Sequence, residues 1–469
     1  MNHRFPFLRF LQAGALVLLP AVTGPAAAQM PPDGPPPGGP PPQVFAACAG
    51  KATDAACQFH SPRGLENGTC RTMGPGDFVC VPANPPPFGG PRGNGAGGMG
   101  GGPSVGYVER GPNPIALPLA NRLPDTGQET CFDDRAVIDC PARGQPFFGQ
   151  DASYRGRGPS YRVNGDGTVS DLVTGLVWQK AHHPQRLPYD EARAACESLT
   201  LGGRRDWRLP GIKELYSIAD FRGITGRRFF LDPAAFDLAY PDASILAGDR
   251  FAATHHVEMM GQTWSSTLYS GVHGGRPGVE AAFFFNFLDG RIKQAPTRGG
   301  PTLFYRCVRG AEWGGNAFRD NGDGSVTDAA SGLMWQQADD GRGRPWPEAL
   351  AACNGLTLAE HRDWRLPNAK ELLSIVDYRR NDPALDVNVF RQRDPAAWFW
   401  SSTTFGDSPR EAVYVCFGKC LAADGTDLHG AGAQRSDPKT GDPARFAPRG
   451  GQRDQVRINN HVRCVRDAG

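Results

Sequence analysis

The 469-residue chain lacks a charge imbalance, since 50 Lys and Arg stand against 48 Asp and Glu, for a formal net charge of +2. Proteins that bind nucleic acid or a membrane surface usually carry a strong basic field, so neither partner is indicated. Apolar runs of spanning length are also absent. The longest, Phe10 to Val22, is shorter than the roughly 20 residues that a transmembrane helix needs. We therefore expect no nucleic-acid partner and no membrane insertion of the mature chain.

The N-terminal segment is typical of a secretory signal peptide. Arg4 and Arg9 precede the apolar run, and three alanines offer a small-residue cleavage site before Gln29. No Cys lies directly after the cleavage region, which argues against a lipid anchor. We predict that residues 1–28 direct export to the periplasm, the cell surface or the medium. The sequence makes no prediction of the oligomeric state.

The 12 Cys are an even number, which in an exported chain predicts disulfides rather than free thiols. Four of them form a small module at residues 44–82, between Pro/Gly-rich linkers at 29–43 and 83–104. Their spacings lack the Cys-x-x-Cys knuckles of zinc ribbons, which favours disulfides over zinc. Three connectivities are possible for Cys48, Cys57, Cys70 and Cys80.

A lead-in segment at residues 105–155 follows the second linker. Cys131 and Cys140 flank a short acidic loop and predict a local disulfide. The aromatic stretch at 145–154 would be exposed if it stood alone, so we expect it to pack against the unit that follows it.

An internal duplication organises the rest of the chain. Asp206-Trp-Arg-Leu-Pro returns as Asp363-Trp-Arg-Leu-Pro, 157 residues later, and motifs on both sides keep the same offset. Near Trp264 and Trp400 the offset changes, as expected for surface loops of different length on one scaffold. We predict two tandem globular units, at residues 156–310 and 311–469.

Each unit predicts helices and short strands. Asn368 with Glu371 three residues later is a capping-box pattern at a helix start, so this Glu is interpreted as structural rather than catalytic. The Asn-Gly-Asp-Gly sequence at 164–167 predicts a hairpin turn. Calcium is the alternative there, but the loop lacks the full ligand set and the final Glu of an EF-hand. We expect no cofactor.

Cysteine spacing predicts one bridge inside each unit. Cys196 lies on a predicted helix and Cys307 in the last strand, 111 residues apart, and Cys353 and Cys464 have the same separation. The oxidising compartment makes free buried thiols the weaker alternative.

These ordered motifs resemble the Lcl C-terminal domain family of bacterial exported proteins. They include Asp-Trp-Arg-Leu-Pro, Lys-Glu-Leu, Trp-Ser-Ser-Thr and Arg-Cys-Val-Arg, and cover about 156–309 and 316–466. The resemblance implies a C-type-lectin-like α+β fold related to formylglycine-generating enzymes, in which a helix Cys is bonded to the last strand. It also implies glycan or protein binding at a surface. The sugar-and-calcium triplets Glu-Pro-Asn, Gln-Pro-Asp and Trp-Asn-Asp are missing, so calcium-dependent sugar binding is not indicated.

Two places in repeat two could carry function. Cys416 and Cys420 favour a local disulfide, and the alternative is a copper-dependent oxidase pair of the formylglycine-generating type. The polar segment from 427 to 445, long in repeat two only, is interpreted as a surface loop that binds ligand together with nearby aromatics. The candidate ligand-binding residues are His429, Gln434, Arg435, Asp437, Lys439, Trp398 and Tyr414.

Other side chains are interpreted as non-functional. The adjacent pairs His182-His183 and His255-His256 chelate poorly and are expected at the surface or in loops, and Trp400 is expected in the core. The sequence thus predicts an exported, non-catalytic binding protein for a glycan or surface protein. The alternatives are the oxidase and a purely structural envelope component.

Overall fold

The computed structural model describes residues 47–48, 51–61, 64–72, 78–82, 114–117, 122–238, 241, 257–406, 408–447 and 454–468. The predicted signal peptide, both Pro/Gly linkers and the pair His255-His256 lie outside these residues. The chain divides into two compact units, Met1–Arg92 and Gly93–Gly469. Both are mostly β-sheet, with a few short helices in the second. None of the helices in the described ranges is long and apolar enough to cross a membrane.

The first unit contains one antiparallel sheet held by two disulfides. Its strands, in the order β1-β2-β3, are Ala56–Ser61, Gly64–Thr72 and Phe78–Pro82. Of the three possible connectivities, the structure has Cys48 bonded to Cys70 and Cys57 bonded to Cys80. The four sulfurs form the core of this small module, in place of the larger apolar core that so short a chain cannot build.

The second unit begins with the lead-in segment. Strand β4 (Ile115–Ala116) pairs in parallel with β7 (Tyr154–Arg155). Between them, β5 (Cys131–Phe132) and β6 (Val137–Ile138) form a small antiparallel pair, closed by the Cys131–Cys140 disulfide.

Repeat one contains two antiparallel sheets and two helices. A four-stranded sheet has the order β14-β10-β9-β8, and a three-stranded sheet has the order β11-β12-β13. The helices are α1 (Tyr189–Glu197) and α2 (Ile212–Ser217). The strands are β8 Tyr161–Val163, β9 Thr168–Asp171, β10 Val177–Gln179, β11 Gln262–Leu268, β12 Ala281–Asn286, β13 Arg291–Pro296 and β14 Val308–Arg309.

Repeat two has the same elements in the same order. Its sheets are β15-β16-β17-β21 and β18-β19-β20, and its helices are α3 (Trp346–Asn354) and α4 (Ala369–Ser374). The strands are β15 Phe318–Asp320, β16 Ser325–Asp328, β17 Leu333–Gln336, β18 Trp398–Thr404, β19 Glu411–Cys416, β20 Gln434–Pro438 and β21 Val465–Asp467.

The turn between β8 and β9 uses its polar side chains internally. Gly165 and Gly167 have φ values of 80° and 85°, which favour glycine. Asp166 Oδ1 accepts hydrogen bonds from the backbone N–H and the hydroxyl of Thr168, at 3.1 and 2.5 Å. The predicted hairpin is therefore confirmed, and its oxygens serve the turn.

A disulfide joins the first helix of each repeat to the segment entering its last strand. Cys196 is bonded to Cys307 and Cys353 to Cys464, each with a Cα–Cα distance of 5.4 Å. All four residues are buried. The bridges close each repeat between its α1 or α3 helix and its four-stranded sheet.

Buried ion pairs fix the start of the second helix in each repeat. Glu371 completes a capping box with Asn368, as predicted, and also forms a bidentate pair with Arg365 at 2.6 and 2.7 Å. In repeat one, Arg208 pairs with Glu214 at 2.7 and 2.6 Å. Both Glu residues are thus structural anchors.

The aromatic lead-in stretch packs against repeat two, so the prediction that it packs against repeat one was wrong. Asn354 donates to the carbonyl of Phe148 at 2.9 Å and accepts from the Tyr154 hydroxyl at 3.1 Å. The Phe147 ring lies 6.3 Å from that of Trp346. The residue equivalent to Asn354 in repeat one is Glu197, whose carboxylate has no N–H to donate.

The two repeats pack together rather than standing apart. Lys213 on α2 donates to the carbonyl of Ser374 at 2.6 Å, and Lys370 on α4 donates to that of Ser217 at 2.8 Å. These four positions correspond at the 157-residue offset, so the contact is reciprocal about a pseudo-twofold axis. Side chains of both repeats also share one large apolar cluster, and a second cluster lies within repeat one. The repeats are therefore one body.

Candidate functional site

The segment from 427 to 445 is not the surface loop that we expected. It contains strand β20, which pairs with β19 so that Tyr414 faces Arg435, and it corresponds to β13 of repeat one. All seven proposed ligand-binding residues have a relative exposure of 3% or less: Trp398, Tyr414, His429, Gln434, Arg435, Asp437 and Lys439. The polar composition of this segment predicted an exposed loop, but these side chains face the protein interior.

A buried charge network explains two of these polar residues. His429 Nε2 lies 2.5 Å from Asp454 Oδ1, and the Arg435 Nε donates to the other carboxylate oxygen at 2.9 Å. Burial lowers the pKa of His429 to about 4, so its imidazole is neutral at pH 7. Burial alone would raise the pKa of Asp454, but Arg435 and His429 together outweigh it and hold that pKa below its usual range.

The aromatic candidates and Lys439 are packing residues. The Trp398 ring stacks on Tyr414 at 4.8 Å, with the Arg457 guanidinium 3.7 Å from the Trp398 ring centre. The Lys439 ammonium lies 4.2 Å from the Trp346 ring centre and donates to a lead-in carbonyl at 2.9 Å. Such cation–π contacts explain how these charges are accommodated inside.

The insert between β19 and β20 attaches repeat two to repeat one. Asp427 accepts from the Tyr269 hydroxyl at 2.5 Å, and its backbone carbonyl accepts from the N–H of Gly274 at 3.0 Å. At the base of this insert Cys416 and Cys420 are bonded to each other, and both are fully buried. In this structure the pair is closed to a substrate, and it holds the insert in shape.

His182 lies in a loop, one of the two predicted locations, but it is not on the surface. This side chain is 5% exposed and its ring lies edge-on to Phe304 at 4.5 Å. Burial lowers the pKa of His182 to about 3, so it is a neutral core residue. Trp400 lies in the core, as predicted.

An open cleft of about 420 Å³ lies between the lead-in segment and repeat one. It is lined by carboxylates, guanidinium groups, one aromatic ring and several glycines. The lining residues are Pro114, Asp125, Gly127, Gln128, Glu129, Cys140, Ala152, Tyr154, Arg155, Gly156, Gly158, Pro159, Arg222 and Asp232.

The rim of the cleft carries exposed charged side chains that make few other contacts. Arg155 and Glu129 are about half exposed, and their nearest charged atoms lie 3.6 Å apart. Arg222 is held by a bidentate contact with Asp220, at 2.9 and 2.8 Å. Gly127 has a φ of 83°, and a Cβ there would lie 3.3 Å from an Asp220 oxygen, so this wall requires glycine.

The floor of the cleft is a pair of neighbouring acids. Asp125 accepts from the backbone N–H groups of Gly156 and Thr126, at 2.6 and 2.7 Å, and burial raises its pKa. Behind it, Asp151 accepts from the hydroxyls of Thr126 and Thr403. Burial, and then the charge of Asp125, raise the pKa of Asp151 to about 8, so Asp151 is protonated at pH 7.

The cleft combines donors, acceptors and a ring in a shallow polar surface, which suits a hydroxyl-rich ligand. None of its lining residues is a Ser, His or Lys that could act as an activated nucleophile. Within the described ranges the one group with metal-ligating proximity is Cys48, Cys57 and Cys80, and these are disulfide-bonded.

The sequence did not reveal this cleft because its walls come mainly from the lead-in segment, which is not duplicated. The one available signal was the Arg-Gly-Arg-Gly-Pro stretch at 155–159, whose glycines line the wall. Its partners, such as Arg222, lie far along the chain.

Comparison with known proteins agrees with the repeat analysis. The family model of the Lcl C-terminal domain matches residues 167–309 and 324–434, more than half of the chain. No curated protein and no solved structure matches. The two matched ranges fall one in each repeat, which confirms the resemblance based on the shared motifs. The chain therefore belongs to the Lcl C-terminal domain family, of which it contains two tandem copies.

Proposed function

We propose that this protein is an exported, non-catalytic binding protein that presents lectin-like domains to a glycan or protein ligand at the bacterial envelope or surface. The observation that supports this most directly is the cleft between the lead-in and repeat one. Its exposed rim charges are available to a ligand, whereas the polar residues of β20 are committed to buried contacts.

Hydroxyl-rich ligands need donors, acceptors and an apolar face in one place. Arg155 supplies donors, Glu129 and Asp232 supply acceptors, and Tyr154 supplies a ring. The ring is held by its hydroxyl bond to Asn354, so the cleft is preorganised and loses little entropy on binding.

Export is supported by the N-terminal sequence and by the disulfides. Six bridges join all 12 Cys, and bonds of this kind persist in oxidising compartments. The periplasm, the cell surface and the medium all satisfy this condition.

A glycan and protein array probed with the full mature chain tests the proposal. Hits are then measured by calorimetry with the variant Glu129→Ala/Arg155→Ala. We expect this variant to weaken binding at least tenfold, because it removes an exposed donor and acceptor from the rim.

The matched control is Asp190→Ala/Arg193→Ala. This pair is similarly exposed, with its charged atoms 4.0 Å apart, but lies on α1 away from the cleft. Equal weakening by both variants would reject the cleft as the site. No binding to any arrayed ligand would count against the function itself.

A further inference from the structure

A small, partly open cavity lies where the helices of the two repeats meet. Its volume is about 20 Å³, room for a single water-sized species and too small for phosphate or a carboxylate ligand. It is lined by Leu123, Pro124, Lys213, Tyr216, Ser217, Trp313, Gly314, Lys370, Leu373 and Ser374. The reciprocal lysines thus border one cavity on the pseudo-twofold axis.

Both ammonium groups at this cavity are held by neutral oxygens. Lys370 donates to the carbonyls of Asp125 and Ser217, at 2.9 and 2.8 Å. Lys213 donates to the carbonyls of Gly314 and Ser374 and to the Asn316 side chain. Across the described ranges, the ion pairs within 4 Å include neither lysine.

More distant carboxylates offset these charges only in part. Asp220, Asp125 and Asp171 act on Lys370, yet burial outweighs them and lowers its pKa to about 8. The pKa of Lys213 is lowered to about 8 by the same cause. Both groups therefore remain cationic at pH 7, and an unpaired buried charge is costly.

Two hydrogen-bond donors remain available at the cavity. The Tyr216 side chain is 2% exposed, and its hydroxyl has no hydrogen-bond partner in the described residues. The Lys370 ammonium has a third N–H beyond its two carbonyl bonds. The hydroxyls of Ser217 and Ser374 are already donated to carbonyls, each at 2.7 Å.

From these features we propose that the cavity is a binding site for a small monovalent anion of the halide class. The anion accepts from the Tyr216 hydroxyl and the Lys370 ammonium, and it adds a countercharge in direct contact with Lys370, which the distant carboxylates do not provide. Because the cavity lies at the contact between the repeats, the anion stabilises their association. This site is separate from the cleft and independent of the function proposed above.

Bromide is the probe, because it can be located by anomalous diffraction. The full mature chain is melted in sodium gluconate and in sodium bromide mixtures at constant ionic strength. We expect the melting temperature to rise with bromide. At saturation, each tenfold increase in bromide should raise the folding equilibrium constant about tenfold. Bromide-soaked crystals should show an anomalous peak between Lys370 and Tyr216.

Two variants and one control make the result specific. Lys370→Met and the milder Tyr216→Phe should lose the bromide response, and the latter keeps the ring packing intact. Lys293→Met is the control, since Lys293 is also buried with its pKa lowered to about 8 but has Asp289 at 3.5 Å. It should keep the response. A water peak with no bromide effect, or an effect unchanged in Tyr216→Phe, would overturn the proposal.

Discussion

Replacing Asp151 by Asn should make the protein more stable at neutral pH, by an amount that grows with pH. The folded state holds this carboxyl protonated, with a pKa of about 8, whereas its ordinary value is 3.8. Between these two values the unfolded chain has lost the proton and the folded chain keeps it. Wild-type stability therefore falls as pH rises through this window, by about 1.4 kcal/mol per pH unit for one proton.

The Asn variant mimics the protonated acid and keeps an oxygen to accept from Thr126 and Thr403. Its advantage over wild type should therefore increase by about 2–3 kcal/mol between pH 5 and pH 7. Urea denaturation of both proteins at pH 5, 6, 7 and 8 measures this difference.

Asp454→Asn is the control of opposite sign. Arg435 holds the pKa of Asp454 low, so its ionised form stabilises the fold above pH 4 and that contribution is lost as pH falls. This variant should be less stable than wild type at pH 7. A stability difference between Asp151→Asn and wild type that stays flat from pH 5 to 8 would show that Asp151 is ionised in the folded protein, and would refute the reasoning.

Three further sets of substitutions test the contacts that stabilise the fold. Removing the Cys353–Cys464 bridge with two Ala substitutions should cost about 4–5 kcal/mol, measured by denaturation, because the bridge closes a loop of 111 residues. Glu371→Gln removes the bidentate partner of the buried Arg365 guanidinium, which keeps only the longer contact with Asp467 at 3.6 Å, and should cost about 3–5 kcal/mol. The cost should exceed that of Glu214→Gln, whose Arg partner is partly exposed. Asn354→Ala should increase hydrogen exchange at residues 145–155 with little change in repeat one, because two of its hydrogen bonds to this stretch are lost.

Features encoded by short-range or covalent patterns were predictable from the sequence. The capping box at Asn368 and the turn at Asp166 involve residues within a few positions of each other. The pairing of Cys196 with Cys307 was accessible because the duplication presented the same spacing twice. Each repeat acted as a check on the other.

Features that depend on contacts between distant segments were not predictable. Arg435 looked like a loop residue because its partner Asp454 lies 19 positions away, and no pattern links the two. The lead-in segment packs against repeat two because Asn354 stands where repeat one has Glu197. This is a single difference among many between the two repeats. The cleft follows from that docking, so it could not be found from the sequence either.

The crossed lysines on α2 and α4 have a consequence for the history and handling of this protein. In each repeat, a lysine ammonium donates a hydrogen bond to a carbonyl at the end of a helix in the other repeat. A substitution at Lys213 or Lys370, or a shift of the helix end at Ser374 or Ser217, would therefore destabilise the contact between the repeats. One repeat expressed without the other would expose a lysine ammonium that has lost its carbonyl partner, together with the apolar surface that the other repeat covers. We expect such halves to be recovered as aggregates, and to regain solubility when the two are co-expressed.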